Sequence, residues 1–202
     1  PNNVNSHPHL SNKSSVAVVH NGIIENFHEL KTELQGRGHI FLSETDSEVL
    51  AVLVEDMRAQ MPDSDVAVVV SAALDRCVGT FGTVFLFSDL PDTMIGARRG
   101  SPLILGLGDA GESGNAEFYL ASDACAIIQH TRDVIYINDG ETVKCNLQGY
   151  KIHDTKLLAK RAELNICSPE LQVDRESAIC IQSPVVHLEM QLEQIEKGGF
   201  DD

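Results

Sequence analysis

The chain has 202 residues, 43% apolar and 22% charged, which suits one soluble globular domain with a sizeable core. Lys plus Arg number 15 against 30 Asp plus Glu, and the net charge of -15 argues against nucleic acid and against an anionic membrane as partners. No apolar run nears the roughly 20 residues that span a bilayer, the first residues are polar, and five scattered cysteines without a C-x-x-C pair fit reduced thiols, so a cytoplasmic location is expected.

Residues 1–15, rich in Asn, Ser, His and Pro, read as loop. Val16-Ala17-Val18-Val19 reads as a buried strand that His20-Asn21-Gly22 ends abruptly, because Asn and Gly most readily adopt positive φ. Such an ending brings a side-chain amide and a bare backbone N–H to one point. Two neutral donors so placed are what an oxyanion hole needs, although an ordinary Asn-Gly turn accounts for the same residues.

Phe27, Leu30 and Leu34 follow the i, i+3, i+7 spacing of a surface helix, which Gly36-Arg37-Gly38 ends. Thr45 and Glu48 have capping-box spacing ahead of a helix predicted from about 46 to 60, on which Glu48, Glu55 and Asp56 read as a solvated face. Asp65 starts a further helix, Val66 to Cys77, although Val68-Val69-Val70 would also suit a strand. From Gly79 the pattern becomes short apolar strands: Thr80–Phe87, Thr93–Arg98, Pro102–Leu107 and Phe118–Ala121. A short helix from Asp123 to Gln129 precedes a meander through Val134–Ile137, Thr142–Leu147 and Tyr150–His153. Residues 154–184 are polar and irregular, and Val186–Ile195 returns to helical spacing. Helices early and strands later give an α+β layered domain rather than alternating βαβ units.

Several residue groups could carry chemistry. Gly106, Gly108 and Gly111 match G-x-G-x-x-G after a strand, but the polar Glu112-Ser113-Gly114-Asn115 next to them does not start a phosphate-binding helix, and the stretch reads as a hairpin loop. His7, His9 and His20 lack metal-ligand spacing, Pro8 is expected to splay the first two, and loop histidines are the expectation; neither a metal nor a cofactor is called for. Asp46 reads either as a charge complementing the helix dipole or as a carboxylate for a substrate ammonium. Arg98-Arg99-Gly100-Ser101-Pro102 reads as a connection between strands, with anion binding as the alternative.

Taken together, Val4-Asn5-Ser6-His7-Pro8-His9, His20-Asn21-Gly22-Ile23-Ile24-Glu25-Asn26, Ser43-Glu44-Thr45-Asp46, Arg99-Gly100-Ser101-Pro102-Leu103 and Ala121-Ser122-Asp123 resemble the glutaminase domain of the glutamine–fructose-6-phosphate aminotransferase (isomerizing) family. The similarity runs in consistent order from residue 1 to about 154 and resumes at 188–195. Residues 155–184 form a variable segment, and 185–202 resemble the helical linker toward that family's isomerase domain.

The resemblance implies a class II, N-terminal-nucleophile glutamine amidotransferase with a four-layer αββα fold, here incomplete at its N-terminus, which should leave apolar surface exposed. It implies that a terminal cysteine thiolate attacks the carboxamide of L-glutamine, with its own α-amine as base. The ammonia released reaches the isomerase domain and fructose 6-phosphate in a full-length protein that is expected to be a homo-oligomer. Mapped on this chain, Asn21 and Gly22 match the oxyanion hole, Asp46 the carboxylate that binds the α-amino group of glutamine, and His7 a loop near the site. The family's Cys-Gly-Ile start and its Arg-Trp-Ala-Thr-His-Gly motif are expected upstream of Pro1, and Cys77, inside a predicted helix, is no substitute. A non-catalytic glutamine-binding or regulatory module, and another class II amidotransferase such as amidophosphoribosyltransferase, are the alternatives.

Overall fold

The computed structural model describes residues 3–109 and 117–163. The helix expected over 186–195, the linker, and most of the variable segment lie outside these residues, as does the loop at 110–116. In chain order the elements are β1 (His9–Leu10), β2 (Val16–Ile24), α1 (Phe27–Gly36), α2 (Ser47–Gln60), α3 (Val66–Asp75), β3 (Gly79–Phe87), β4 (Leu90–Arg99), β5 (Ile104–Gly108), β6 (Glu117–Ala121), β7 (Val134–Tyr136), β8 (Glu141–Asn146), β9 (Gly149–Asp154) and α4 (Thr155–Glu163). Short 3-10 turns cover Asn3–Asn5 and Ala124–Ala126.

Two antiparallel sheets result: six strands in the order β1-β2-β3-β4-β8-β9, and three in the order β6-β5-β7. Alternation along β2 and β3 sends Val16, Val18, Phe81 and Phe85 to one face, where they pack with Leu50, Leu53 and other residues of the helices in the main core. The opposite face meets the second sheet through Leu103, Leu105, Val143 and Cys145. Beyond the second sheet, Ile104 and Val134 pack under Ile127. The architecture is an α+β sandwich, and among the described residues the segment from the 3-10 turn at Ala124–Ala126 to Thr131 packs on the outer face of the second sheet, with Ile127 over Ile104 and Val134 and His130 stacked on Tyr119.

The structure departs from several sequence expectations. The strand through residues 16–19 does not stop at Asn21-Gly22 but runs on to Ile24, paired with β3 throughout, with Asn21 opposite Gly82 and Ile24 opposite Gly79. The meander is also split, since β7 joins β5 in the second sheet while β8 returns to β4 in the first. Residues 155–163, where periodicity says little, form α4, whose Leu158 enters the main core. The helix expected at 123–129 shrinks to the 3-10 turn, started by Asp123 Oδ1 accepting from the Cys125 N–H at 2.7 Å.

Helix α2 has no solvated face over its first two turns: Ser47 through Glu55 are all buried. Glu48 and Glu55, 4% and 7% exposed, are each saturated by nearby donors. Glu48 accepts from the Leu42 and Ser43 N–H groups at 2.8 and 2.7 Å and from Ser43 Oγ at 2.7 Å, so it ties down the preceding loop rather than closing a box with Thr45. Glu55 accepts from Ser15 Oγ, Ser11 Oγ and the Lys13 N–H, fastening the loop before β2 to α2. On the sheet face away from the helices, Val19, Ile23 and Leu86 are exposed.

Candidate active site

The site forms where the far end of β2 meets the start of α2. Gly22 has φ +137°, and a Cβ there would fall on the Thr80 carbonyl oxygen of β3, so the strand can pass this point only as glycine. Asn21, beside it, is exposed, and among the described residues its side-chain amide has no protein partner. The paired strand fixes the backbone at Asn21, so only the side-chain torsions remain to be ordered when a ligand oxygen arrives.

Asp46 is the residue immediately before α2, where an aspartate usually caps its own helix. It makes no such cap bond. Its Oδ2 instead accepts the Ile24 N–H at 2.7 Å, and its Oδ1 lies 3.4 Å from Ser47 Oγ. The carboxylate is therefore drawn from the helix toward β2, two residues beyond Gly22. Neither ordinary reading of an N-terminal helix charge, capping or simple dipole complementarity, explains that direction.

Three histidines gather behind it. His20 Nδ1 is 2.9 Å from Ser47 Oγ and its Nε2 3.5 Å from the Thr80 carbonyl, while His7 Nε2 reaches the same Ser47 Oγ at 3.3 Å. His9 Nε2 pairs with Thr45 Oγ1 at 3.1 Å, and Thr45 Oγ1 with Ser43 Oγ at 2.9 Å. The expectation that Pro8 separates its flanking histidines is corrected, since the His7 and His9 rings meet edge to face with centroids 5.3 Å apart. Nor are His9 and His20 loop histidines: both are 4% exposed. Burial lowers the affinity of both rings for a proton, more than the neighbouring Asp46 and, for His9, Glu48 raise it. Among the described residues no group of His, Cys, Asp and Glu is arranged to hold a metal ion.

The other candidates have structural work. Arg99 donates to the carbonyls of Leu74, in the last turn of α3, and of Cys77, just beyond it, at 3.4 and 2.7 Å, and lies over the Phe81 ring. Arg98 pairs with Asp139, whose Oδ1 also accepts the Gly100 N–H at 3.0 Å. These bonds fix the connection from β4 to β5. Gly106 and Gly108 do not open a phosphate loop: a Cβ at Gly106 would collide with Ile127 and Thr131, and one at Gly108 with Glu117 and Tyr119. Cys77 lies just beyond α3, not inside it, and burial pushes its thiol, like that of Cys145, up to about 12. Exposed Cys125 is also raised, by its hydrogen bond with Asp123. None of these three is an activated thiolate.

A family model described as a glutamine amidotransferase domain matches residues 2–129. The chain belongs to that family. Glutamine–fructose-6-phosphate aminotransferase [isomerizing] of Chlorobaculum tepidum is 37% identical over 203 residues, covering 100% of this chain and 28% of that protein. The protein of the same name from Thermotoga maritima is 40% identical over 155 residues, 77% of this chain and 24% of its own length. The chain thus spans less than a third of the curated relatives it matches. Among solved structures, the glutamine phosphoribosylpyrophosphate amidotransferase of B. subtilis superposes with a TM-score of 0.58 at 25% identity, over 75% of this chain and 32% of that one. A glutamine aminotransferase class-II domain protein from Silicibacter pomeroyi, with a TM-score of 0.51 at 18% identity over 74% and 70% of the two chains, shares the fold.

For this amidotransferase domain, the structure brings Asn21, Gly22 and Asp46 to one end of β2 and ties His7 to the residue after Asp46. Sequence reasoning missed Ser47, the hub of the histidine contacts, and the Ile24 N–H. It also left His20 in a loop, although Val16, Val18 and His20 share the period of a single strand face.

Proposed function

We propose that the chain is the glutaminase part of an enzyme that makes glucosamine 6-phosphate from fructose 6-phosphate and L-glutamine. The observation that carries the reading is the Ile24 N–H to Asp46 bond at 2.7 Å, which holds an anionic group beside the Asn21-Gly22 pair. In this reading Asp46 takes the α-ammonium of L-glutamine. The Asn21 amide and the Gly22 N–H stabilise the oxyanion formed when a thiolate adds to the carboxamide carbon. The thiolate is that of the terminal cysteine the family resemblance implies, and none of the described cysteines replaces it. His7 lines the approach to Asp46. Ammonia passes to an isomerase domain of the same protein, a cytoplasmic homo-oligomer.

Amidophosphoribosyltransferase is the second reading, favoured by the B. subtilis superposition at 25% identity, but the Chlorobaculum relative matches the whole chain at 37%. The test is the full-length gene product. It is expected to release glutamate from L-glutamine and to form glucosamine 6-phosphate with fructose 6-phosphate as acceptor; amination of phosphoribosyl pyrophosphate instead rejects the reading. Asn21→Ala is expected to lower glutamine-dependent turnover about 10² to 10³-fold while synthesis from added ammonia persists. Equal loss of both activities rejects the oxyanion role.

A further inference from the structure

We propose that Ser47 is a positioning residue for the Asp46 carboxylate. The inference rests on the glutaminase reading of the site. Ser47 is buried at the first position of α2, and its hydroxyl is surrounded by three groups from three parts of the chain: His20 Nδ1 at 2.9 Å, His7 Nε2 at 3.3 Å and Asp46 Oδ1 at 3.4 Å. The Thr80 carbonyl near His20 Nε2 can only accept, so that nitrogen carries the ring proton and Nδ1 accepts from the Ser47 hydroxyl. The Ser47 oxygen then has lone pairs left for His7.

An aspartate in the place of Asp46 ordinarily turns its carboxylate onto the free N–H groups of its own helix, which is the lower-energy position for an isolated helix start. Here the carboxylate is turned the other way. The Ile24 N–H holds one oxygen and Ser47 flanks the other. The single Ser47 proton is shared between His20 Nδ1 at 2.9 Å and Asp46 Oδ1 at 3.4 Å, so Oδ1 is held by a long hydrogen bond and keeps lone pairs for an incoming ammonium. Ser47 also anchors the loop bearing His7 on the same side. Asp46 has helical backbone angles, φ -68° and ψ -26°, which take its side chain out of the capping position, and the Ser47 hydroxyl fixes where the freed carboxylate points without neutralising it.

The experiment compares Ser47→Ala, Ser47→Thr and Ser47→Val in the full-length protein with L-glutamine as the varied substrate. Loss of the hydroxyl is expected to raise KM for L-glutamine about tenfold, as loss of a correctly placed charge-assisted hydrogen bond does. The kcat should stay within about twofold, since Asn21 and Gly22 are untouched. Thr keeps the hydroxyl and is expected to restore KM; Val, of the same shape, is not, and this pair decides the matter if the Ala variant does not fold. Unchanged KM in Ala and Val overturns the inference. So does a parallel loss of kcat, KM and thermal stability with no difference between Thr and Val, which marks a purely structural role. If the wild-type protein does not hydrolyse L-glutamine, the underlying glutaminase reading falls instead.

Discussion

Ile24 and Asp46 are 22 residues apart in sequence, yet the Ile24 N–H donates to Asp46 Oδ2 at 2.7 Å and fixes the start of α2 against the end of β2. The backbone at Asn21-Gly22 and the Asp46 carboxylate are thereby held at a set spacing. An amide-bearing ligand with an ammonium at its other end needs both at a set spacing, and a contact through the backbone holds that spacing better than one between two flexible side chains.

Asp46→Asn separates geometry from charge. The amide oxygen can still accept the Ile24 N–H, so the unfolding midpoint should move little. The ammonium loses its counter-ion, a charge-assisted bond of about 1.5–3 kcal/mol, and KM for L-glutamine is expected to rise roughly 10- to 100-fold. Steady-state kinetics with glutamine and with ammonia check this. The ammonia reaction should be unaffected.

Gly22→Ala should damage the fold as well as the site. The positive φ strains any L residue by about 1–3 kcal/mol, and the new methyl would also meet the Thr80 carbonyl oxygen. Gly149, at φ +139° with open space around it, provides the comparison. In urea unfolding, Gly22→Ala should lose clearly more stability than Gly149→Ala, and equal losses would show that β3 yields easily.

Acid should weaken the domain through its buried His9 and His20 and its half-buried His153. Burial lowers His9, His20 and His153 below the usual histidine value, so below pH about 6.5 the unfolded chain takes up protons that the folded chain does not. Their contribution is whole above that pH and is lost as pH falls through it. Urea midpoints of the purified protein are expected to drop between pH 7.5 and 5.5, and a His9→Gln, His20→Gln variant should shrink the drop. Glu55 acts in a separate, lower window. Burial raises its carboxyl, but hydrogen bonds from Ser15, Ser11 and Lys13 outweigh this and hold it below the usual carboxylate range, so its contribution disappears only at stronger acidity.

Part of the site is legible in the amino-acid sequence. Asn21, Gly22 and Asp46 stand out by residue type and by their place in an ordered set of motifs, and the fold puts them together. Ser47 and His20 do not stand out. A serine after an aspartate at a helix start has many ordinary explanations, and a histidine before Asn-Gly reads as a turn unless the strand is known to continue. Glu48 and Glu55 mislead for a related reason: their burial depends on Ser43, Ser11 and Ser15, donors that lie on other segments.

By itself the sequence determined what local periodicity and short-range chemistry encode: the α2 helix and its start, the Asp65-capped α3, and the succession of short strands after Gly79. Only the tertiary structure decided that β2 runs through Asn21-Gly22. The turn signal in those two residues is overridden by β3, a distant segment of the chain, which offers Gly82 opposite Asn21 and Gly79 opposite Ile24, and so leaves backbone pairing to decide the path. Long-range pairing of this kind leaves no trace in the spacing of neighbouring side chains, and it is what turns an expected loop into the rigid edge of a site.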